Sequence, residues 1–229
     1  MKSARINLML IVGFSIVSCL IYTLMLYSPY NYYFYTSLVK FGLFLSAPLL
    51  YYFFSKQGQI KGRFCFKGSK KYMKLSALFG GFTFVFIICA YIVLNKFFDK
   101  QMILDGLAKE GITKSTYPYV FAHIVFVNSF LEELFFRGFV FLTIFNLGFK
   151  RFAYIFSSIL FSLYHISMMN TWFSPQMFLL CLVGLVGAGM IFNELDRRCE
   201  NIWGGFFLHI GANLAINLIG MYLLYAKII

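Results

Sequence analysis

Charge is scarce in this chain. Only 12% of its 229 residues are Asp, Glu, Lys or Arg, and the acidic residues number eight. So little charge excludes both an ordinary soluble domain and a solvated, disordered tail. Proline is rare, at four, so few helices are expected to be broken from within. The five cysteines (Cys19, Cys65, Cys89, Cys181, Cys199) are scattered without a Cys-x-x-Cys pair. That spacing excludes a disulfide framework and a cysteine-based zinc site. The His-Glu-x-x-His helix of zinc proteases is also missing.

What is present is apolar. Hydrophobic residues make up 61% of the sequence, 31 of them phenylalanine. Seven apolar runs approach the length needed to cross a bilayer, roughly 7–27, 36–54, 75–94, 118–145, 152–168, 175–192 and 202–225. They predict an all-α, polytopic transmembrane bundle of about seven spans. Residues 1–229 read as a single integral membrane domain with no room for a separate soluble one. Lys2 and Arg5 ahead of the first run resemble a signal peptide, but the run is too long and no Ala-x-Ala site follows, so it reads as a retained span.

The net charge of +12 would suit nucleic acid, yet the basic residues follow the loops and form no interleaved patch. With the N-terminus inside, inner segments hold thirteen basic residues, including the run from Lys56 to Lys74, and outer segments hold five. That bias predicts a cytoplasmic N-terminus. The lipid bilayer is the expected partner and nucleic acid is not. The Lys-, Ile-, Phe- and Tyr-rich composition fits a bacterial plasma membrane. Lys40, near the outer end of the second span, is expected to snorkel to the surface.

Against this background the fourth run is anomalous, because Phe130-Leu-Glu-Glu-Leu-Phe-Phe-Arg-Gly138 places Glu132, Glu133 and Arg137 inside a span. A charge at bilayer depth costs roughly 2.5–3.5 kcal/mol on insertion scales, so it is retained mainly where it lines a cavity or does chemistry. Glu133 and Arg137 are i, i+4 and suited to a salt bridge. Glu132 is then left outside that pair and is the candidate general base. A purely structural ionic staple is the competing reading.

Two further runs carry histidine: Phe161-Ser-Leu-Tyr-His165, and His209-Ile-Gly-Ala-Asn213 with Asn217 one turn on. Their spacing stacks His209 and Asn213 on one helix face. At about 1.5 Å per residue, Glu132 and His165 each lie roughly 20 Å from the inner ends of their spans, so a shared layer is feasible. His123 reads as a core histidine. Gly184, Gly187, Ala188 and Gly189 read as a close-contact face of the sixth span, and Gly204, Gly205 and Gly211 as one by which the seventh approaches the charged helix.

Glu-Glu-x-x-x-Arg, Phe-x-x-x-His and His-x-x-x-Asn, in that order on three apolar segments, resemble the CAAX prenyl protease and bacteriocin-processing (CPBP, or Abi) family of intramembrane proteases. The resemblance covers 118–225 as a catalytic core. It implies that Glu132 and His165 polarise the attacking water, that His209 and Asn213 donate to the oxyanion, and that Glu133 and Arg137 orient them or bind substrate backbone. Phe161 would pack alongside. The implied substrate is a peptide or protein at the membrane. Two Glu and two His would also suit zinc, and the family has often been called metalloproteases. Asn, however, is an unusual zinc ligand and a good oxyanion donor, so no cofactor is expected and a divalent metal such as zinc is the alternative. The rival functions are a non-catalytic bacteriocin immunity or scaffold membrane protein and a small proton-coupled transporter. The transporter would be expected to show inverted repeats, which the sequence lacks.

Overall fold

The computed structural model describes residues 2–55, 69–169 and 174–226. Cys65, the basic run from Lys56 to Lys67, and Lys227 lie outside these residues. The described residues form eight helices and no strand. They are α1 Lys2–Leu26, α2 Tyr33–Ser55, α3 Lys70–Leu94, α4 Lys100–Lys109, α5 over 117–146, α6 Lys150–Met169, α7 Pro175–Cys199 and α8 Trp203–Tyr225. The all-α bundle expected from hydropathy is therefore what the chain adopts. Five helices are long and apolar enough to cross a membrane: α1, α2, α3 extended to Phe97, α7 and α8. The remaining two expected spans correspond to α5 and α6.

Helix ends follow local chemistry. Asp99 caps α4 by accepting from the Met102 N–H at 3.0 Å. Pro175 opens α7 in its first turn, where no donor is lost. Gly148, at φ +95°, reverses the chain between α5 and α6.

Helix α5 is central and is not a plain α-helix. Two π-helical stretches, His123–Asn128 and Glu133–Phe141, flank a four-residue α segment, Ser129–Glu132. The Ser129 hydroxyl donates to Ile124 O at 3.2 Å and the Thr143 hydroxyl to Gly138 O at 3.3 Å, each five residues back. Wider turns put residues five apart on one face, and π segments recur at functional sites. Every residue from Leu131 to Ile144 is buried. Around it lies a phenylalanine core, with Phe44 stacked on Phe135 at 4.0 Å between centroids and edge-on to Phe136. Helix α3, by contrast, has few fully buried residues and exposes large apolar side chains such as Leu78, Phe82, Phe86 and Val93, as a lipid-facing helix does.

Glycine decides where α3 can approach α8. A Cβ on Gly211 would lie 2.6 Å from the Gly80 carbonyl carbon, and one on Gly80 would lie 3.1 Å from that of Phe207. Gly211 thus admits α3 and not, as expected, the charged helix. Gly189 touches Ser158 on α6 closely, but Gly184 and Gly187 face open space, so the close-contact face of α7 is narrower than its small-residue run.

Gly211→Ala is expected to lower stability by about 1–3 kcal/mol through overpacking. Gly184→Ala should stay within about 0.5 kcal/mol of the parent. Thermal unfolding in one detergent compares the two, and equal midpoints would contradict the α3–α8 contact. Glu110, in the connection between α4 and α5, supplies a pH test. Burial pushes its carboxyl from 4.5 up to about 7, with Lys109 pulling the other way. An acid whose folded value is raised contributes its stability below the unfolded value and loses it as pH climbs through the folded one. Unfolding midpoints should therefore fall between about pH 5 and pH 8, and Glu110→Gln should flatten that slope.

Candidate active site

Glu132 sits on the short α segment between the two π stretches and is 1% exposed. Its two oxygens have different surroundings. Oε1 accepts three hydrogen bonds: from the Lys40 ammonium at 2.6 Å, the Asn128 amide at 3.0 Å and the Tyr164 hydroxyl at 3.2 Å. Oε2 has no hydrogen-bond partner among the described residues. It faces His209 Nε2 at 3.6 Å and His165 Nε2 at 3.8 Å, so α5, α6 and α8 converge on one atom.

Lys40 overturns two expectations. It does not snorkel, being 4% exposed with its ammonium among the rings of Tyr22, Phe44 and Tyr164. Nor is Glu132 the unpaired member of its motif. Snorkelling requires a path to water for the charged end, and here a carboxylate at contact distance replaces the water. Lys40 also donates to Asn128 Oδ1.

The imidazoles are held from behind. His165 Nδ1 lies 2.7 Å from Phe161 O, and a carbonyl only accepts, so Nδ1 carries the proton and Nε2 presents its lone pair to Glu132. His209 Nδ1 lies 2.7 Å from Glu133 Oε1. Phe161 packs edge-on against His165, as expected, and also against Arg137.

Glu133 and Arg137 form the expected i, i+4 pair, with Nη1 3.2 Å from Oε1. Both are 0% exposed. The guanidinium lies between the rings of Phe161 and Phe192, at 4.1 and 4.6 Å from their centroids, an arrangement that favours a cation without hydrogen bonds. Asp196, on α7, completes this layer by accepting from the Gly205 N–H at 2.5 Å. A Cβ on Gly205 would collide with both Glu133 Oε2 and Asp196 Oδ2, so only glycine lets α8 approach these carboxylates.

Asn213 is turned toward α5. Its amide donates to Ser129 Oγ at 2.8 Å and to Ile124 O at 3.4 Å. Asn217 donates back to Asn213 O at 2.8 Å and continues the polar stripe. His123 lies apart from the site and bonds the Tyr33 hydroxyl at 2.6 Å, not a carbonyl.

Lys40, Asn128, Tyr164 and Asp196 were not foreseen as site residues. Asn128 lies one turn from Glu132 on the same helix, and Tyr164 adjoins His165, so both carried a local signal. Lys40 carried the signal of a charge inside a span, while Asp196 was masked by the neighbouring Arg197 and Arg198.

A resident divalent metal fits these residues poorly. Among the described residues no three His, Cys, Asp or Glu side chains are arranged to hold one. One oxygen of Glu132 is already bound to a fixed cation, Lys40, whose charge would repel a second.

The family model described as type II CAAX prenyl endopeptidase Rce1-like matches residues 114–215, somewhat less than half of the chain. The match shows that this segment, which carries all three motifs, is similar to that family. No curated protein and no solved structure matches the chain.

Arg137→Met would leave Glu133 and Asp196 buried beside each other without their cation. It is expected to cost about 3–5 kcal/mol, and adding Glu133→Gln should recover part of the loss. Chemical or thermal unfolding of both variants in detergent measures this. Strict additivity would contradict the shared network.

Proposed function

Taking residues 114–215 as an Rce1-like, CAAX-endopeptidase segment, we propose that the protein is an intramembrane endopeptidase in which Glu132 and His165 activate water. The observation that carries this reading is the unpartnered Glu132 Oε2 facing two imidazole nitrogens at 3.6 and 3.8 Å. A water held between them would lose a proton to the carboxylate or to His165 Nε2 as its oxygen attacks the scissile carbonyl carbon. The carbonyl oxygen then becomes an oxyanion. When the C–N bond breaks, the same proton passes to the leaving amine, and the products are a carboxylic acid and an amine, which become a carboxylate and an ammonium once the acid's proton is transferred.

His209 and Asn213 are the oxyanion donors in this scheme. Preorganised donors of this kind are worth about 10²–10³ in kcat each. His209 donates from Nδ1 to Glu133 on the far side of its ring, so it serves as an oxyanion donor from Nε2 in its doubly protonated form. Asn213 joins by exchanging its bond to Ser129 for one to the oxyanion. Glu133 and Arg137 orient His209 and do not touch substrate, since both are fully enclosed. Charge bias supports a cytoplasmic N-terminus, and the Lys-, Ile-, Phe- and Tyr-rich composition fits a bacterial plasma membrane, with peptide or protein substrates entering from the bilayer. The mechanism needs no metal.

Glu132→Gln keeps the shape of the side chain and removes the base. It is expected to abolish cleavage of a membrane-presented CAAX-type peptide, while expression and membrane insertion persist. Undiminished cleavage would end the assignment. Full activity in the presence of a strong chelator is the matching expectation for a metal-free reaction, and loss restored by zinc would reverse it.

A further inference from the structure

The family match begins at residue 114, yet one of the closest contacts to the Glu132 carboxylate comes from α2, well before it. Lys40 is buried to 4% exposure in a segment where a charge has no other use, and nothing in the hydrolytic scheme above employs it. Its ammonium, the Asn128 amide and the Tyr164 hydroxyl all donate to one oxygen of Glu132, and none donates to the other. A carboxylate is rigid and planar. Fixing Oε1 from three directions therefore fixes where Oε2 points, and it points to the two imidazoles.

We propose that Lys40 is a positioning residue of the active site, which pins Glu132 Oε1 and thereby presents Oε2 alone to the reacting water. The role rests on the endopeptidase reading. It makes α2 a functional part of the enzyme and not merely packing for the 114–215 segment. The ammonium is itself fixed. It also donates to Asn128 Oδ1, and the rings of Tyr22, Phe44 and Tyr164 stand 5.5, 5.8 and 5.0 Å away. Asn128 closes the arrangement by accepting from Lys40 and donating to Glu132, so three groups from two helices hold one another.

Without Lys40 the carboxylate keeps two neutral donors but loses its counter-ion, and either oxygen can swing toward the imidazoles. Misplacement of a reacting group by about 1 Å can cost roughly 100-fold in rate. Because Lys40 touches Glu132 and not substrate, the loss belongs in kcat and not in KM.

The test uses the full-length chain in lipid nanodiscs with a quenched, fluorogenic farnesylated CAAX-type peptide. Activity is expressed per folded molecule. Lys40→Met should lower kcat by about 100-fold with KM within about twofold, and Lys40→Arg should recover part of the loss because charge and donors return. A parallel unfolding cycle compares Lys40→Met, Glu132→Gln and the double variant. Each single change leaves a buried partner exposed to an apolar interior, so the double variant should be more stable than the sum of the singles implies. Should Lys40→Met not fold, recovery of folding in the double variant upholds the pair and failure to recover overturns it. Wild-type kcat in Lys40→Met, or strict additivity in the cycle, overturns the proposal while leaving the inactivity of Glu132→Gln to stand. Equal cleavage by wild type and Glu132→Gln instead sinks the endopeptidase reading and this role with it.

Discussion

An ionised carboxylate inside a membrane-spanning bundle needs a cation at contact distance, because bulk water is kept from stabilising it. Two adjacent glutamates on α5 meet this requirement separately. Glu132 is paired with Lys40 from α2, and Glu133 with Arg137 one turn along its own helix. The pairs divide the labour. The first leaves one oxygen of Glu132 uncommitted beside two imidazoles. The second is enclosed and holds His209 from behind. Both pairs keep buried polar atoms without a hydrogen-bond partner among the described residues, so what separates them is that Glu132 Oε2 faces two imidazole nitrogens.

The rest of the fold follows from bringing these groups together. The π-helical stretches of α5 alter which residues share a face, so Asn128 and Glu132 both turn toward α2 while Glu133 and Arg137 turn toward α7 and α8. Phe161 and Phe192 enclose the guanidinium, and Gly205 allows the backbone of α8 to pass beside two carboxylates. Phenylalanine is well suited to this setting. It fills space around charges without adding polar groups that would compete for them. Helix α3 needs none of these constraints and meets the bundle through glycines against α8 and through Ser76 against Cys199 of α7, with much of its apolar surface exposed.

Much of the candidate site was legible in the residues themselves. Three motifs in order on apolar segments located Glu132, His165 and His209, and the structure brings both imidazoles within 4 Å of one Glu132 oxygen. The Glu133–Arg137 pair was readable from i, i+4 spacing because both partners lie on one helix. Lys40 and Asp196 were not readable in this way. Their partners are 92 residues away in one case and on other helices in the other. Sequence spacing carries no information about such contacts. Lys40 therefore read as a snorkelling residue, the ordinary behaviour of a lone lysine near the end of a span. The glycines show the same limit. A run of small residues on α7 looked like an interface, but only Gly189 meets a neighbour closely, since packing depends on which helix lies opposite.

The sequence by itself determined the membrane-spanning helical class, the position of the charged helix and the identity of the histidines, because hydropathy, charge cost and helical spacing are local properties. Only the tertiary structure decided how the charges are neutralised, which carboxylate oxygen stays free and that α2 reaches the site. Those outcomes depend on distances between separate helices, and such distances are set by packing across the whole bundle.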